Sequence, residues 1–207
     1  MKKNLWKVAA LSVMMLFAGQ SQAQSLGDVL NAIGSQQGGN VAQGLTSVFS
    51  SSKQATAEKL VGTWSYTEPA IVFTSDNILA KAASKIAANK VEKKLQEQLS
   101  KYGIKPGSFT MTFNEDGTFS ETLKGKTTKG KWEVKDSKLV LSVVGLKAIS
   151  ITTQIDGKDL QFVTDATKLL NLFKTIGAKS NNSSIKTVAS LMKSVNGMQA
   201  GITMRKQ

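Results

Sequence analysis

Apolar and polar residues alternate along the chain from residue 108 to residue 162, with the period of two that half-buried β-strands show. The clearest run is Phe109-Thr110-Met111-Thr112-Phe113. Turn signals interrupt the alternation, among them Asn114-Glu115-Asp116-Gly117 and Asp156-Gly157, and they favour tight antiparallel connections. We therefore predict an antiparallel meander of about six strands over this part of the chain.

Two further segments are typical of strands. Val61–Phe73 reads as extended chain, and Pro69 within it indicates an edge position, a bulge or a bend. Met198–Lys206 near the C-terminus also alternates. Together with the meander they give roughly eight strands, and a twisted sheet of that size can remove its edges by closing into a barrel that pairs the first strand with the last.

The hydrophobic period changes to that of amphipathic helices between these strands. A long helix is predicted from Ser75 or Asp76 to Gly103, with lysines on the face opposite its apolar residues. Two more helical patterns, over 166–176 and 185–195, precede the last strand. The predicted fold is thus an up-and-down antiparallel β-barrel with helical insertions, one long helix after strand 1 and two helices before the last strand.

Residues 1–23 have the pattern of a signal peptide, because lysines precede a short apolar run that ends at Ser21-Gln22-Ala23, a small-residue cleavage motif. We therefore expect an exported protein that is periplasmic, extracellular or associated with the outer membrane, with no transmembrane segment in the mature chain. Residues 24–59 are rich in Gly, Ser and Gln, and we expect a flexible or partly helical segment before a domain of residues 60–207. One weak helical pattern in that segment is formed by Val41, Leu45, Val48 and Phe49.

The charge and the missing residue types narrow the function classes. The net charge is +13, and Arg205 is the only arginine. Nucleic-acid readers favour the arginine fork, so we expect no nucleic-acid partner; a lysine-rich surface suits either an anionic envelope surface or simple solvation. The chain has no histidine and no cysteine, which excludes histidine and cysteine nucleophile systems and ordinary zinc sites. We expect no cofactor and no enzymatic activity.

Gly62-Thr63-Trp64 on the first strand and Arg205 on the last resemble the signature of the calycin group, which includes lipocalins and fatty-acid-binding proteins. The resemblance implies that Trp64 packs across the closed end of the barrel and that Arg205 lies over it. The segments "GIKPGSFTMTFNEDGTFSETLKGKTTKGKWEV" and "GMQAGITMRK" resemble a lipocalin-like family of exported bacterial proteins of unknown function. The fatty-acid-binding Arg-x-Tyr motif is not matched, because Lys206 and Gln207 follow Arg205.

The candidate ligand-binding residues are the aromatic and acidic residues of the predicted strands. Glu68 stands out because it lies in an otherwise apolar strand, where it either faces a cavity and orients a ligand or is an exposed edge residue. Glu121 and Thr153 are polar breaks that point inward, or that face outward if the register shifts. The candidates are Tyr66, Glu68, Phe73, Phe113, Phe119, Glu121 and Trp132. They line a pocket for a small apolar or amphipathic ligand, or they fill a solid core. The second alternative favours an interaction or inhibitor protein that contacts anionic glycans, lipids or a partner protein.

Overall fold

The computed structural model describes residues 46–79, 81–146, 148–165, 167–168 and 183–207. The predicted signal peptide, the start of the segment 24–59 and most of the helix expected over 166–176 lie outside the described residues.

The described residues form nine strands and four α-helices. The strands are β1 (Thr46–Val48), β2 (Gly62–Phe73), β3 (Phe109–Phe113), β4 (Thr118–Leu123), β5 (Lys126–Lys135), β6 (Lys138–Ser142), β7 (Ile149–Asp156), β8 (Asp159–Thr164) and β9 (Met198–Lys206). The helices are α1 (Ala57–Leu60), α2 (Asp76–Leu79), α3 (Ala82–Lys101) and α4 (Ser183–Ser194). A 3-10 turn spans Ser51–Lys53.

Strands β2 to β9 form a closed ring of eight strands. Each strand pairs antiparallel with the next in chain order. The ring closes because β2 also pairs with β9, from Trp64 opposite Lys206 to Phe73 opposite Met198. The broad expectation of an antiparallel sheet whose first strand meets its last is confirmed, and the protein is barrel-like.

A bulge in β2 decides which of its side chains face the interior. The pairing with β9 runs in step as far as Tyr66 and resumes at Glu68, which leaves Thr67 as the extra residue. The alternation of faces therefore shifts by one position after Tyr66. As a result Ile71 and Phe73 join Trp64 in the inner core.

The helices belong to the same core as the inner faces of the strands. Val91 and Leu95 of α3 and Leu191 of α4 are buried in one continuous apolar cluster with Phe73 and Phe109. An amphipathic helix stabilises such a ring by covering its apolar interior with one face and keeping its lysines in water. Helix α3 shows this division, since Lys85 is exposed while Val91 is fully buried.

The segment before the ring is bound to the outer side of the sheet. Strand β1 pairs in parallel with Ile71–Phe73 of β2, so β1 is a ninth strand that the sequence pattern did not predict. The helical pattern assigned to Val41–Phe49 is wrong for its described part, because Thr46–Val48 is extended. Phe49 packs against a small outer cluster formed by Ala70, Val72 and Val163.

Polar groups hold this segment as well, and we call Ser47–Lys53 the outer strap. Gln154 on β7 and Gln161 on β8 face away from the core, and yet both side chains are buried. The Nε2 of Gln154 donates to the Oγ of Ser47 at 2.9 Å, and that hydroxyl donates to the Oε1 of Gln161 at 2.9 Å. An exposed ion pair of 2.8 Å joins Lys53 to Asp156. The outer strap therefore shields two amides that need hydrogen-bond partners once they are buried.

Trp64 lies at the position where the ring closes, as expected. Its side chain is 1% exposed, and its Nε1 donates to the carbonyl oxygen of Leu60 at 2.7 Å. Gly62 has a φ of 127°, and a Cβ there would lie 2.8 Å from the Cε of Lys206. Glycine is therefore required by the backbone conformation, whereas the flexible end of the lysine could shift to admit a Cβ.

The expectation that Arg205 covers Trp64 is wrong. Lys206 occupies that position, because it pairs directly with Trp64 while Arg205 pairs with Ser65. Side chains alternate along a strand, so Arg205 points to the other face. There its Nε donates to the Oδ1 of Asp159 at 2.9 Å and its Nη2 to the Oδ2 at 3.2 Å.

Candidate functional site

Three of the predicted site residues form an aromatic cluster on the inner face of β3, β4 and β5. The rings of Phe113 and Trp132 meet edge to face, with centroids 5.4 Å apart and planes at 72°. The rings of Phe113 and Phe119 lie 6.3 Å apart. All three belong to the main core, and the Nε1 of Trp132 donates to the carbonyl oxygen of Asn114 at 3.0 Å. The cluster is an apolar surface with its one polar atom already paired.

A glycine on β5 sets the position of the Phe119 ring. Gly130 pairs with Phe119, and a Cβ on Gly130 would lie 2.7 Å from the Cε1 of that ring and would also meet the carbonyl oxygen of Ser142. The ring thus lies against the backbone of the neighbouring strand. This placement needs a residue without a side chain at position 130.

Glu121 lies on the same inner face as this cluster. It follows Phe119 by two residues on β4, and the residues opposite it are Met111 on β3 and Thr128 on β5. Its side chain is 1% exposed. Neither carboxyl oxygen has a hydrogen-bond partner among the described residues. A buried carboxyl of this kind is costly and rare in folded proteins.

Three donors of the interior are engaged elsewhere. Trp64 bonds Leu60, Trp132 bonds Asn114, and the hydroxyl of Tyr66 donates to the Oε1 of Gln96 on α3 at 2.8 Å. The two tryptophans and the tyrosine therefore complete their own hydrogen bonds without using the carboxyl. Glu121 keeps its full capacity for a further donor or acceptor.

Burial also determines the protonation state of Glu121. Desolvation raises the pKa of its carboxyl from 4.5 to about 8. No charged group contributes to this shift. At neutral pH the group is therefore mainly a neutral carboxylic acid, which can donate one hydrogen bond and accept others.

Tyr66 and Phe73 are buried in the core as predicted, but each lies elsewhere along β2. Tyr66 precedes the bulge and faces α3, where burial, followed by the nearby Glu68 and Glu92 carboxyls, raises its pKa. Phe73 ends β2, opposite Met198. The structure thus brings Phe113, Phe119, Trp132 and Glu121 together and places these two residues outside that group.

The interpretation of Glu68 as a cavity-facing group is not supported by its position. Alternation from Trp64 through Tyr66 would have placed it inside, but the bulge at Thr67 turns it to the outer face. It is half-buried there, and burial and the neighbouring Asp159 raise its pKa while Arg205 opposes them. Glu68 therefore belongs to a surface charge group and not to the interior.

A family model described as a lipocalin-like domain (DUF4923) matches residues 31–206 of this chain. The chain belongs to this lipocalin-like family. One solved structure, a duf4847 family protein from Bacteroides vulgatus ATCC 8482, is 13% identical with a TM-score of 0.34, and the match covers 72% of this chain and 95% of that one. No curated protein matches the chain at a significant level.

No group of three or more acidic, histidine or cysteine side chains is placed to hold a metal ion within the described ranges. Among the same residues, no helix is both long and apolar enough to cross a membrane.

Sequence reasoning found one buried polar feature of the lipocalin-like domain and missed another. Thr153 was expected as an inward polar break, and it is 1% exposed with its hydroxyl unpaired among the described residues. The buried amides of Gln154 and Gln161 were not anticipated, because their positions on outward faces predict solvent exposure. They are buried only because the outer strap covers them. The alternation of apolar and polar residues does not show that the strap docks there.

Proposed function

We propose that this protein is an exported lipocalin-like binding protein that holds a small, largely apolar or amphipathic molecule inside an up-and-down barrel. The role is binding and not catalysis. The single observation that supports it is the carboxyl of Glu121, which is 1% exposed and has no partner among the described residues. A ligand with a polar head would complete its hydrogen bonds.

The surroundings of Glu121 suit such a ligand. Met111 and Leu123 are apolar neighbours, and Phe113, Phe119 and Trp132 continue the apolar surface on the same face. Binding sites for small molecules are commonly mostly apolar, with few polar groups that fix orientation. One acidic group among aromatic side chains matches this composition.

Native mass spectrometry of the mature protein purified from its own host tests the proposal. The wild-type protein is expected to carry a small molecule that survives gentle desolvation, because a buried ligand is released slowly. Glu121→Leu is expected to carry less of it. Glu133→Gln is the matched control, since Glu133 lies on the neighbouring strand and is exposed.

The outcome separates the two alternatives for the interior. A bound molecule lost in Glu121→Leu and kept in Glu133→Gln supports ligand binding. A protein that carries no small molecule, with an interior filled by its own aromatic side chains in a crystal structure, contradicts it.

Recovery of the protein from the periplasm or the medium, with the chain starting after residue 23, tests export.

A second candidate function rests on the outward side chains of β2 to β5, which we call the hydroxyl–lysine face. It includes Thr63, Ser65, Thr110, Thr112, Thr118, Ser120, Thr122, Thr127, Lys129, Lys131 and Lys135, with Glu133 as an acidic member. Hydroxyls pair across strands, with Thr63 Oγ1 and Thr112 Oγ1 3.1 Å apart. A face rich in lysine and hydroxyl groups suits contact with an anionic envelope surface.

Cosedimentation with vesicles tests this second function. The wild-type protein is expected to bind vesicles that contain anionic lipid at low salt, and Lys129→Glu with Lys131→Glu is expected to abolish the binding. Lys85→Glu with Lys93→Glu on α3 reverses the same number of charges on another surface and is the control. Equal loss in the control would mean that net charge alone is responsible, which contradicts a specific face.

A further inference from the structure

The chemistry around Glu121 restricts the head group of the ligand beyond what the fold implies. We infer that the ligand is an uncharged amphiphile whose hydroxyl or amide head hydrogen-bonds the Glu121 carboxyl, with its apolar chain along Phe113, Phe119 and Trp132. The inference rests on the proposed binding function. It would distinguish this protein from binders of fatty acids, whose heads are anionic.

An anionic head is disfavoured because the group beside it is itself acidic. The residues that face Glu121 across the strands are Met111 and Thr128, and neither is a cation. Lys126 begins β5 on the same side as Thr128 and Lys206 lies over Trp64, but both lysines are exposed and neither shifts the pKa of Glu121. A carboxylate placed there would meet no counter-ion at the buried carboxyl.

A cationic head is disfavoured by burial. An ammonium ion would need Glu121 in its ionised form, so two charges would have to lose their hydration in a site that is 1% exposed. The described residues supply no hydrogen bond to either oxygen of the carboxyl. A neutral acid and a neutral hydroxyl or amide form reciprocal hydrogen bonds without either group being ionised.

Side-chain spacing places the apolar chain of the ligand. Residues two apart on a strand share a face, so Phe119 and Leu123 lie on either side of Glu121 along β4. The Phe119 ring packs on the backbone of Gly130, where a Cβ would lie 2.7 Å from its Cε1. In the proposed complex a linear chain that starts at Glu121 runs along this face past Phe119 toward Phe113 and Trp132, and these rings, which are at most 8% exposed, move to admit it.

Three ligands with the same chain test the inference: dodecanol, dodecanoate and dodecylamine, each below its aggregation limit and titrated at pH 7 into purified protein. Binding is measured by isothermal titration calorimetry on protein from which bound lipid has been extracted. The variants are wild type, Glu121→Gln, Glu121→Leu and Glu133→Gln. Near-ultraviolet circular dichroism establishes that each variant is folded.

We expect the wild-type protein to bind dodecanol at least about tenfold more tightly than dodecanoate, which is the factor expected for one buried hydrogen bond. Glu121→Gln keeps this preference because an amide also donates and accepts. Glu121→Leu loses it, and Glu133→Gln behaves as wild type.

The other results are distinguishable from one another. Tightest binding of dodecylamine, lost in Glu121→Gln, would overturn the neutral head and indicate an ion pair. Equal binding of all three ligands, unchanged in Glu121→Leu, would overturn the inference while the proposed binding function stands. Binding of none of the three by a protein that also carries no native ligand would overturn the proposed function itself.

Discussion

The ammonium of Lys206 lies 5.4 Å from the centre of the Trp64 ring, at the point where the first and last strands of the ring pair. The backbone reinforces this closure, since the N–H of Gln207 donates to the carbonyl oxygen of Thr63 at 2.9 Å. One cation–π contact thus joins the two ends of the described ring, with Gly62 leaving room for the lysine stem.

Replacing Lys206 by Gln is expected to lower the free energy of unfolding by about 0.5–1 kcal/mol, the usual range for an exposed cation–π pair. Urea denaturation measures the change. The intrinsic fluorescence of Trp64 should shift as well. Arg205→Gln is the control, because it removes a neighbouring cation whose contact is with Asp159; a fluorescence shift as large in this variant would contradict the assignment of Lys206.

Glu121 is expected to make stability depend on pH. Its carboxyl stays protonated up to about pH 8 in the folded protein, whereas an ordinary carboxyl ionises near 4.5. Between these values the unfolded state binds fewer protons, so the free energy of unfolding falls as pH rises, by up to about 1.4 kcal/mol per pH unit. Urea denaturation of wild type and Glu121→Gln from pH 4 to pH 9 gives the difference.

The buried carboxyl of Glu121 is expected to lower the free energy of unfolding relative to an apolar side chain at the same position. Glu121→Leu should be more stable than wild type at pH 8, because it replaces an unpaired buried carboxyl by a side chain that needs no hydrogen bond. A less stable Leu variant at that pH, with Glu133→Gln unchanged, would mean that the carboxyl has a stabilising partner in solution.

Gly130→Ala is expected to destabilise the protein by about 1–3 kcal/mol, because the new methyl group meets the Phe119 ring and the backbone of Ser142. Displacement of Phe119 should alter the near-ultraviolet circular dichroism of Trp132 through Phe113. Thermal unfolding and the dichroism spectrum check both effects. Lys129→Ala, the adjacent outward residue, should leave the spectrum unchanged.

Phe49→Ala is expected to loosen the outer strap and to cost about 2 kcal/mol, since the ring is only half-buried. Limited proteolysis should then cut the chain near Ser47–Lys53 faster than in wild type. Val144→Ala is the control, because Val144 is 99% exposed and its removal should change stability by less than about 0.5 kcal/mol. Equal protection of the strap in both variants would contradict its docking through Phe49.

The sequence predicted the elements in which period and turn signals agree. Phe109, Met111 and Phe113 alternate up to a turn at Asn114–Gly117, and the structure has strand β3 there. Pro69 indicated an edge position, a bulge or a bend in β2, but the pattern did not show that Thr67 would be the extra residue, because a strand with one extra residue keeps the same local composition. That single residue decides that Glu68 lies outside, so part of the candidate site could not be placed from the pattern.

The register of the last strand and the docking of β1 could not be predicted from the sequence either. Either Arg205 or Lys206 can stand opposite Trp64, and a shift of one residue exchanges them. Strand β1 is too short for its apolar residues to distinguish a strand from a helix. Glu121, by contrast, was found from alternation alone, because its neighbours Phe119 and Leu123 fix the inner face.

The most direct test of the central claim is the ¹³C chemical shift of the Glu121 side-chain carboxyl, recorded against pH with and without dodecanol and assigned with Glu121→Gln. This carboxyl is expected to titrate near pH 8 in the free protein, to stay mainly protonated at pH 7, and to change its shift when dodecanol binds. A carboxyl that titrates near 4.5, or one whose shift is unchanged while dodecanol binds, would contradict the claim that Glu121 is the buried polar anchor of the ligand.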